Sequence, residues 1–130
     1  MITGLYAGIL GLIYLGLCAL VIKMRFKHEA GIGDKNIEEM QRAVRVHGNF
    51  AEYVPLIVIM MAVTESTLPY SWSPFLLHGL GIAMVIARVA HAYGLSKSIS
   101  TSPGRFLGTI ATFVVLMILS IALITQFLIA

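Results

Sequence analysis

Two stretches of this chain, Ile2 to Ile22 and Phe106 to Ala130, carry no charged residue at all. About 20 apolar residues cross a hydrocarbon core of roughly 30 Å, so each stretch is long enough to span a bilayer. Two more approach that length: Phe75 to Leu95, interrupted by His78, Arg88 and His91, and Gly48 to Leu68, interrupted by Glu52 and Glu65. In lipid the backbone must satisfy its own hydrogen bonds, which makes every such stretch helical. The expected fold is all-α. It is an integral membrane four-helix bundle of left-handed, up-down topology, one domain over residues 1-130, with spans near 2-23, 48-68, 74-95 and 105-128. A hydrophobic fraction of 58% agrees, because a soluble domain of 130 residues cannot bury so much.

The charges set the orientation. Lys23, Arg25, Lys27, Lys35, Arg42 and Arg45 follow the first apolar run, and Arg88, Lys97 and Arg105 gather around the gap before the last. The turn from Glu65 to Pro74 holds no basic residue. By the positive-inside rule both termini lie outside, the two basic loops are cytoplasmic, and Tyr70 and Trp72 anchor the outer interface. The first run is no signal peptide by this reading: it lacks a basic leading region and meets its first charge only at Lys23. A net charge of +3 is what such topology requires and calls for no nucleic acid. The single Cys18 excludes an intramolecular disulfide and a Cys-rich metal site.

The first helix is expected from about Thr3 to Lys23, with Gly4-x-x-x-Gly8 allowing close backbone approach. Gly31 and Gly33 break the loop that follows, and Asp34 or Asn36 can cap a second helix running to Thr67, kinked at Pro55. Pro74 and Pro103 suit the first turns of the third and fourth helices.

The chemistry is concentrated on the second helix. At about 100° per residue, Arg42, Arg45, Asn49, Glu52 and Tyr53 fall within roughly a 100° arc, and His47 lies roughly 140° from Arg42. Two guanidinium forks, an amide, a carboxylate and a phenol thus descend in one stripe from the basic face into the bilayer. A solvated face with snorkelling arginines would account for Arg42. Glu52 resists that account, since a carboxylate inside a span costs on the order of 3 kcal/mol unless paired. Arg88, which shares a face of the third helix with His91, is the expected partner in an Arg88–Glu52 ion pair. His91 by itself reads as a hydrogen-bonded structural histidine.

Arg45-x-His47-x-Asn49-x-x-Glu52-Tyr53-x-Pro55, together with Ala87-Arg88-Val89-Ala90-His91, resembles the membrane-associated proteins in eicosanoid and glutathione metabolism, the MAPEG family. Length and four spans agree along the entire chain, and the helix-three segment is similar to the prostaglandin E synthase pattern. The resemblance is to a bacterial member, which implies the inner membrane with periplasmic termini. It also implies a homotrimer with glutathione bound as co-substrate between subunits, no metal, and a lipophilic substrate arriving from the bilayer. Glutathione would be held by Arg42, Arg45, Asn49, Glu52, Tyr53, Arg88, His91 and Tyr93, with Lys23 or Arg25 and His47 reaching it from a neighbour. Arg105, at the start of the fourth helix, matches the arginine that favours the glutathione thiolate, which would attack an electrophilic carbon or a hydroperoxide. By position alone Arg105 would equally serve as an interfacial anchor.

The chain departs from the pattern in places. Gln41 stands where an acid commonly precedes the first arginine, His91 and Leu95 stand at or near two tyrosine positions, and Tyr93 is offset in register. Two other classes stay open. A four-span transporter typically carries its essential carboxylate in helix one, which has none here. A non-catalytic protein of the same fold would bind glutathione or lipid without turnover.

Overall fold

A computed structural model describes residues 1–67, 73–97 and 102–129. Four helices account for nearly all of them: α1 (Ile2–Lys27), α2 (Glu38–Thr67), α3 (Ser73–Lys97) and α4 (Pro103–Ile129). No strand occurs among the described residues. All four helices are long and apolar enough to cross a membrane. Tyr70 and Trp72, expected as interfacial anchors, lie outside the described residues.

Helical periodicity decides which side chains turn inward. On α2 the buried positions are Met40, Ala43, Val46, Phe50, Val54, Ile57, Met61 and Thr64, spaced by three or four. On α4 they are Gly108, Thr112, Val115 and Leu119. These stripes meet Tyr6, Leu10, Leu77 and Met84 in one core. The outward faces stay apolar, with Leu12, Leu15, Phe75, Ile86 and Phe127 all exposed, as suits a surface solvated by lipid. α2 touches all three other helices, whereas α1 and α4 do not meet among the described residues.

Both ends of α1 differ from expectation. It continues one turn past Lys23 to Lys27, because Arg25 and Lys27 in its last turn complement the helix dipole and the His28 N–H closes on the Met24 carbonyl. At its start, the N–H groups of Ile2 and Thr3 donate to the two carboxylate oxygens of Glu65. Glu65, which sequence marks only as a charge near the end of a span, satisfies two orphan donors of another helix. Glu65→Leu removes both acceptors. It should cost about 1–2 kcal/mol, by analogy with a lost N-cap, and raise hydrogen exchange at residues 2–6. Unchanged exchange there would show that the carboxylate is dispensable.

Asp34 caps no helix. Its Oδ1 accepts from the Asn36 N–H at 2.9 Å, two residues on, and α2 begins only at Glu38. α2 runs unbroken past Pro55. The end of α1 is clamped to the water-exposed first turn of α2, where Lys27 Nζ lies 2.6 Å and His28 Nε2 3.1 Å from Glu39 Oε2. The Lys27 hydrogen bond, then that of His28, holds this carboxyl below its ordinary range.

α3 and α4 make the closest pair, through glycines. A Cβ added at Gly108 would sit 2.5 Å from the Ala87 carbonyl oxygen and 2.8 Å from His91 Cβ, and one at Gly104 would sit 2.9 Å from the Ala90 carbonyl oxygen. Small residues that let backbones touch are the usual adhesive of helices in lipid. Here they set the distance between the helix bearing Arg88 and the helix bearing Arg105.

Candidate functional site

Three arginines that sequence places on two helices come together in space. Arg42 and Arg45 of α2 and Arg105 in the first turn of α4 line one polar cleft of about 370 Å³. Asp34, Gln41, Val44 and Leu95 complete its wall. The local reasons are simple. Arg42 and Arg45 are one turn apart and share a face. Arg105 is brought to them because α4 starts at Pro103 and is drawn against α3 at Gly104. The Arg105 N–H donates to Ser102 Oγ at 3.3 Å, the satisfied end of a helix N-terminus.

The forks are differently occupied. Arg42 donates through Nη1 to Glu38 Oε1 at 2.8 Å, one turn back. Arg45 Nη1 lies 3.8 Å from Glu52 Oε1, with side chains 67% and 52% exposed, so in water this pair would contribute little. Glu52 does not line the cleft. It stands half-exposed on the outward face of α2, with only the distant Arg45 fork beside it among the described residues.

The expected Arg88–Glu52 ion pair is not formed. Arg88, only 2% exposed, donates through Nη1 to Asn49 Oδ1 at 2.9 Å, and its buried Nε has no partner. The reason is rotational. Arg88 meets α2 one turn before Glu52, on the side that carries Asn49, while Glu52 turns outward. Among the described residues the buried cation therefore meets no carboxylate and is held by Asn49 alone, through its side-chain amide and, at 3.5 Å, its backbone carbonyl.

The remaining candidates scatter. Tyr53 packs its ring against Phe113 of α4 at 5.6 Å between centroids. His47 stacks on Tyr14 of α1 at 4.9 Å, and Tyr14 stacks in turn on Phe50, so this histidine is committed to its own chain's α1–α2 seam. His91 is buried against α4 near Gly108. Tyr93 is 62% exposed on α3 with Lys97 Nζ 4.3 Å over its ring, and it does not line the cleft. Lys23 is exposed, and Arg25 donates to the Ala30 and Gly31 carbonyls at 3.2 and 3.1 Å, bracing the loop after α1. Among the described residues no three His, Cys, Asp or Glu side chains converge as metal ligands would.

Asp34 and Gln41 are members of the cleft that sequence reasoning did not place there. Gln41 had a signal in its position before Arg42. Asp34 had none, because its place in a cleft shared with Arg105 depends on how α4 docks.

A second depression, about 420 Å³ and almost wholly apolar, lies between α1 and α2, lined by Leu10, Gly11, Tyr14, Phe50 and Pro55 among others. It borders α2, the helix that also carries the exposed Glu52.

The sequence, compared with known proteins, matches a family. The model of the MAPEG family matches residues 3–125. Among curated proteins, the inner membrane protein YecN of Escherichia coli strain K12 is 31% identical over 94 residues, covering 72% of this chain and 70% of YecN. YecN of Escherichia coli O6:H1 matches to the same extent.

Proposed function

Because the chain belongs to the MAPEG family, we propose that it is an inner-membrane enzyme using glutathione to conjugate or reduce a lipophilic electrophile or hydroperoxide. The observation that carries this reading is the convergence of Arg42, Arg45 and Arg105 in one polar cleft at the basic end of an otherwise apolar bundle. Glutathione bears two carboxylates and one ammonium, and guanidinium forks are the side chains that hold carboxylates by paired, charge-assisted hydrogen bonds. When bound it supplies a thiol whose ionised form is a nucleophile. Arg105 stands in the first turn of α4, where a guanidinium and a helix N-terminus together favour a thiolate over a thiol.

The working unit in this proposal is a homotrimer of up-and-down bundles, with cytoplasmic basic loops and periplasmic termini. Glu52 supports it. A half-exposed carboxylate on the outer face of a membrane helix costs several kcal/mol against lipid, and a neighbouring subunit removes that cost by covering it. The apolar depression between α1 and α2 borders the same helix and would be covered with it, or filled by the lipophilic substrate.

Two substitutions separate binding from activation. Arg45→Ala should weaken glutathione binding about 10- to 100-fold by titration calorimetry, the size of one lost charge-assisted contact. Arg105→Ala should leave affinity within a few-fold, raise the pKa of the bound thiol and remove the ultraviolet absorbance of the thiolate. Wild-type protein that binds glutathione without thiolate absorbance would reduce the proposal to a non-catalytic binder.

A further inference from the structure

We propose that the outward face of α3 binds one anionic phospholipid, its acyl chain lying in a groove and its phosphate meeting Lys97. The groove is a depression of about 420 Å³ lined by Val85, Ile86, Val89, Ala90 and Tyr93. These positions recur at helical spacing and so form one stripe along α3. Ala90 is short and stands between Ile86, a turn before it, and Tyr93, a turn after it. The long side chains make the walls and the methyl makes the floor. Ile86, Val89 and Tyr93 are each at least half exposed, so no helix of this chain covers the stripe.

The end of the stripe identifies the occupant. Lys97 lies one turn beyond Tyr93, and helical side chains lean toward the N-terminus of their helix. Its ammonium accordingly rests over the Tyr93 ring, 4.3 Å from the centroid, beside the groove. The ring positions this cation without neutralising it. Lys97 takes part in none of the ion pairs among the described residues. It is also the only Lys, Arg, Asp or Glu between Arg88 and Arg105.

An apolar groove that runs into an unneutralised ammonium fits a molecule with a long hydrocarbon chain and one anionic head. A zwitterionic phospholipid would bring a second cation to the same place. The depression between α1 and α2 is of equal volume, but no charged residue lines it. The α3 site is also separate from the arginine cleft, whose wall includes neither Tyr93 nor Lys97.

The test is native mass spectrometry of the purified protein in detergent, titrated with phosphatidylglycerol or with phosphatidylcholine of the same acyl chains. Wild type should bind phosphatidylglycerol about fivefold more tightly, the worth of one lysine facing an anionic lipid. Lys97→Gln keeps the stem and loses the charge, so the preference should fall below about twofold. Ile86→Trp fills the groove with another apolar side chain and leaves Lys97 in place. It should weaken both lipids about tenfold, the worth of roughly two displaced methylenes. Lys23→Gln removes an exposed charge on α1 and should leave the preference intact. Equal affinity of wild type for the two lipids overturns the proposal. So does an undiminished preference in Lys97→Gln, or an equal loss in Lys23→Gln, which would make the attraction a property of the protein's cations at large. Displacement of phosphatidylglycerol by glycerol 3-phosphate overturns the groove and reduces the site to one for a headgroup anion. If Ile86→Trp lowers the subunit number in the same spectra and not the lipid affinity, a second copy of the chain occupies the stripe instead.

Discussion

Gly108→Ala should destabilise the bundle by about 3 kcal/mol, the upper range for overpacking, because the added methyl has nowhere to go. It would stand 2.5 Å from the Ala87 carbonyl oxygen and 2.9 Å from the His91 N–H nitrogen. Both are backbone atoms of a packed helix, so relief requires α4 to move away from α3 as a body. Arg105 lies one turn earlier on α4 and would move with it, out of the cleft it shares with Arg42 and Arg45. Glutathione affinity is therefore expected to fall together with thermal stability. Gly79→Ala is the matched control, since nothing lies within 4 Å of a Cβ built there. Alanine at an open helical position is favoured over glycine by roughly 0.5–1 kcal/mol. If Gly108→Ala melts at the same temperature as Gly79→Ala, the α3–α4 seam is looser than described and Arg105 is not positioned by it.

Asn49→Leu should be nearly as damaging, by about 3 kcal/mol, although it replaces a polar residue inside a membrane protein with an apolar one of the same branching. The substitution removes Oδ1, the one close acceptor of Arg88, and leaves a buried guanidinium with a backbone carbonyl at 3.5 Å. A charge stripped of its partner in the interior is far more costly than the absence of both. Arg88→Met should accordingly fold well, and the double variant Asn49→Leu/Arg88→Met should recover most of the stability lost by Asn49→Leu. Thermal unfolding of the four proteins in detergent forms the double-mutant cycle. A double variant no more stable than Asn49→Leu would mean that Asn49 supports the fold in some way unrelated to Arg88. The same cycle read by glutathione titration tells whether Arg88 also serves the ligand.

Much of this was legible in the chain. The four helices follow from apolar stretches matched to bilayer thickness, and α2 is continuous from its amphipathic first turns to Thr67 as its pattern implies. Arg42, Arg45 and Arg105 were legible as candidates, the first two from a shared helical face and the third from a motif resemblance. The partner of Arg88 was not. Glu52 and Asn49 both lie on the stripe, three residues apart, and charge alone favours the acid. Which one faces Arg88 depends on the rotation and height of α3 against α2, set by Met84 and Ala87 packing into the common core. The same holds for Glu65, whose donors lie more than sixty positions away at the start of α1.

Composition and charge order thus decided that the chain is four membrane-length helices with its cations confined to two stretches, one after the first apolar run and one around the gap before the last. Those are sums over neighbouring residues, and a bilayer reads them locally. Packing alone decided that three arginines and Asp34 share a cleft, that Arg88 rests on an amide, and that Glu52 turns outward. Each of these is a relation between helices, whose relative rotation and depth are settled by contacts such as the glycine seam of α3 and α4, and no single stretch of sequence holds both sides of such a contact.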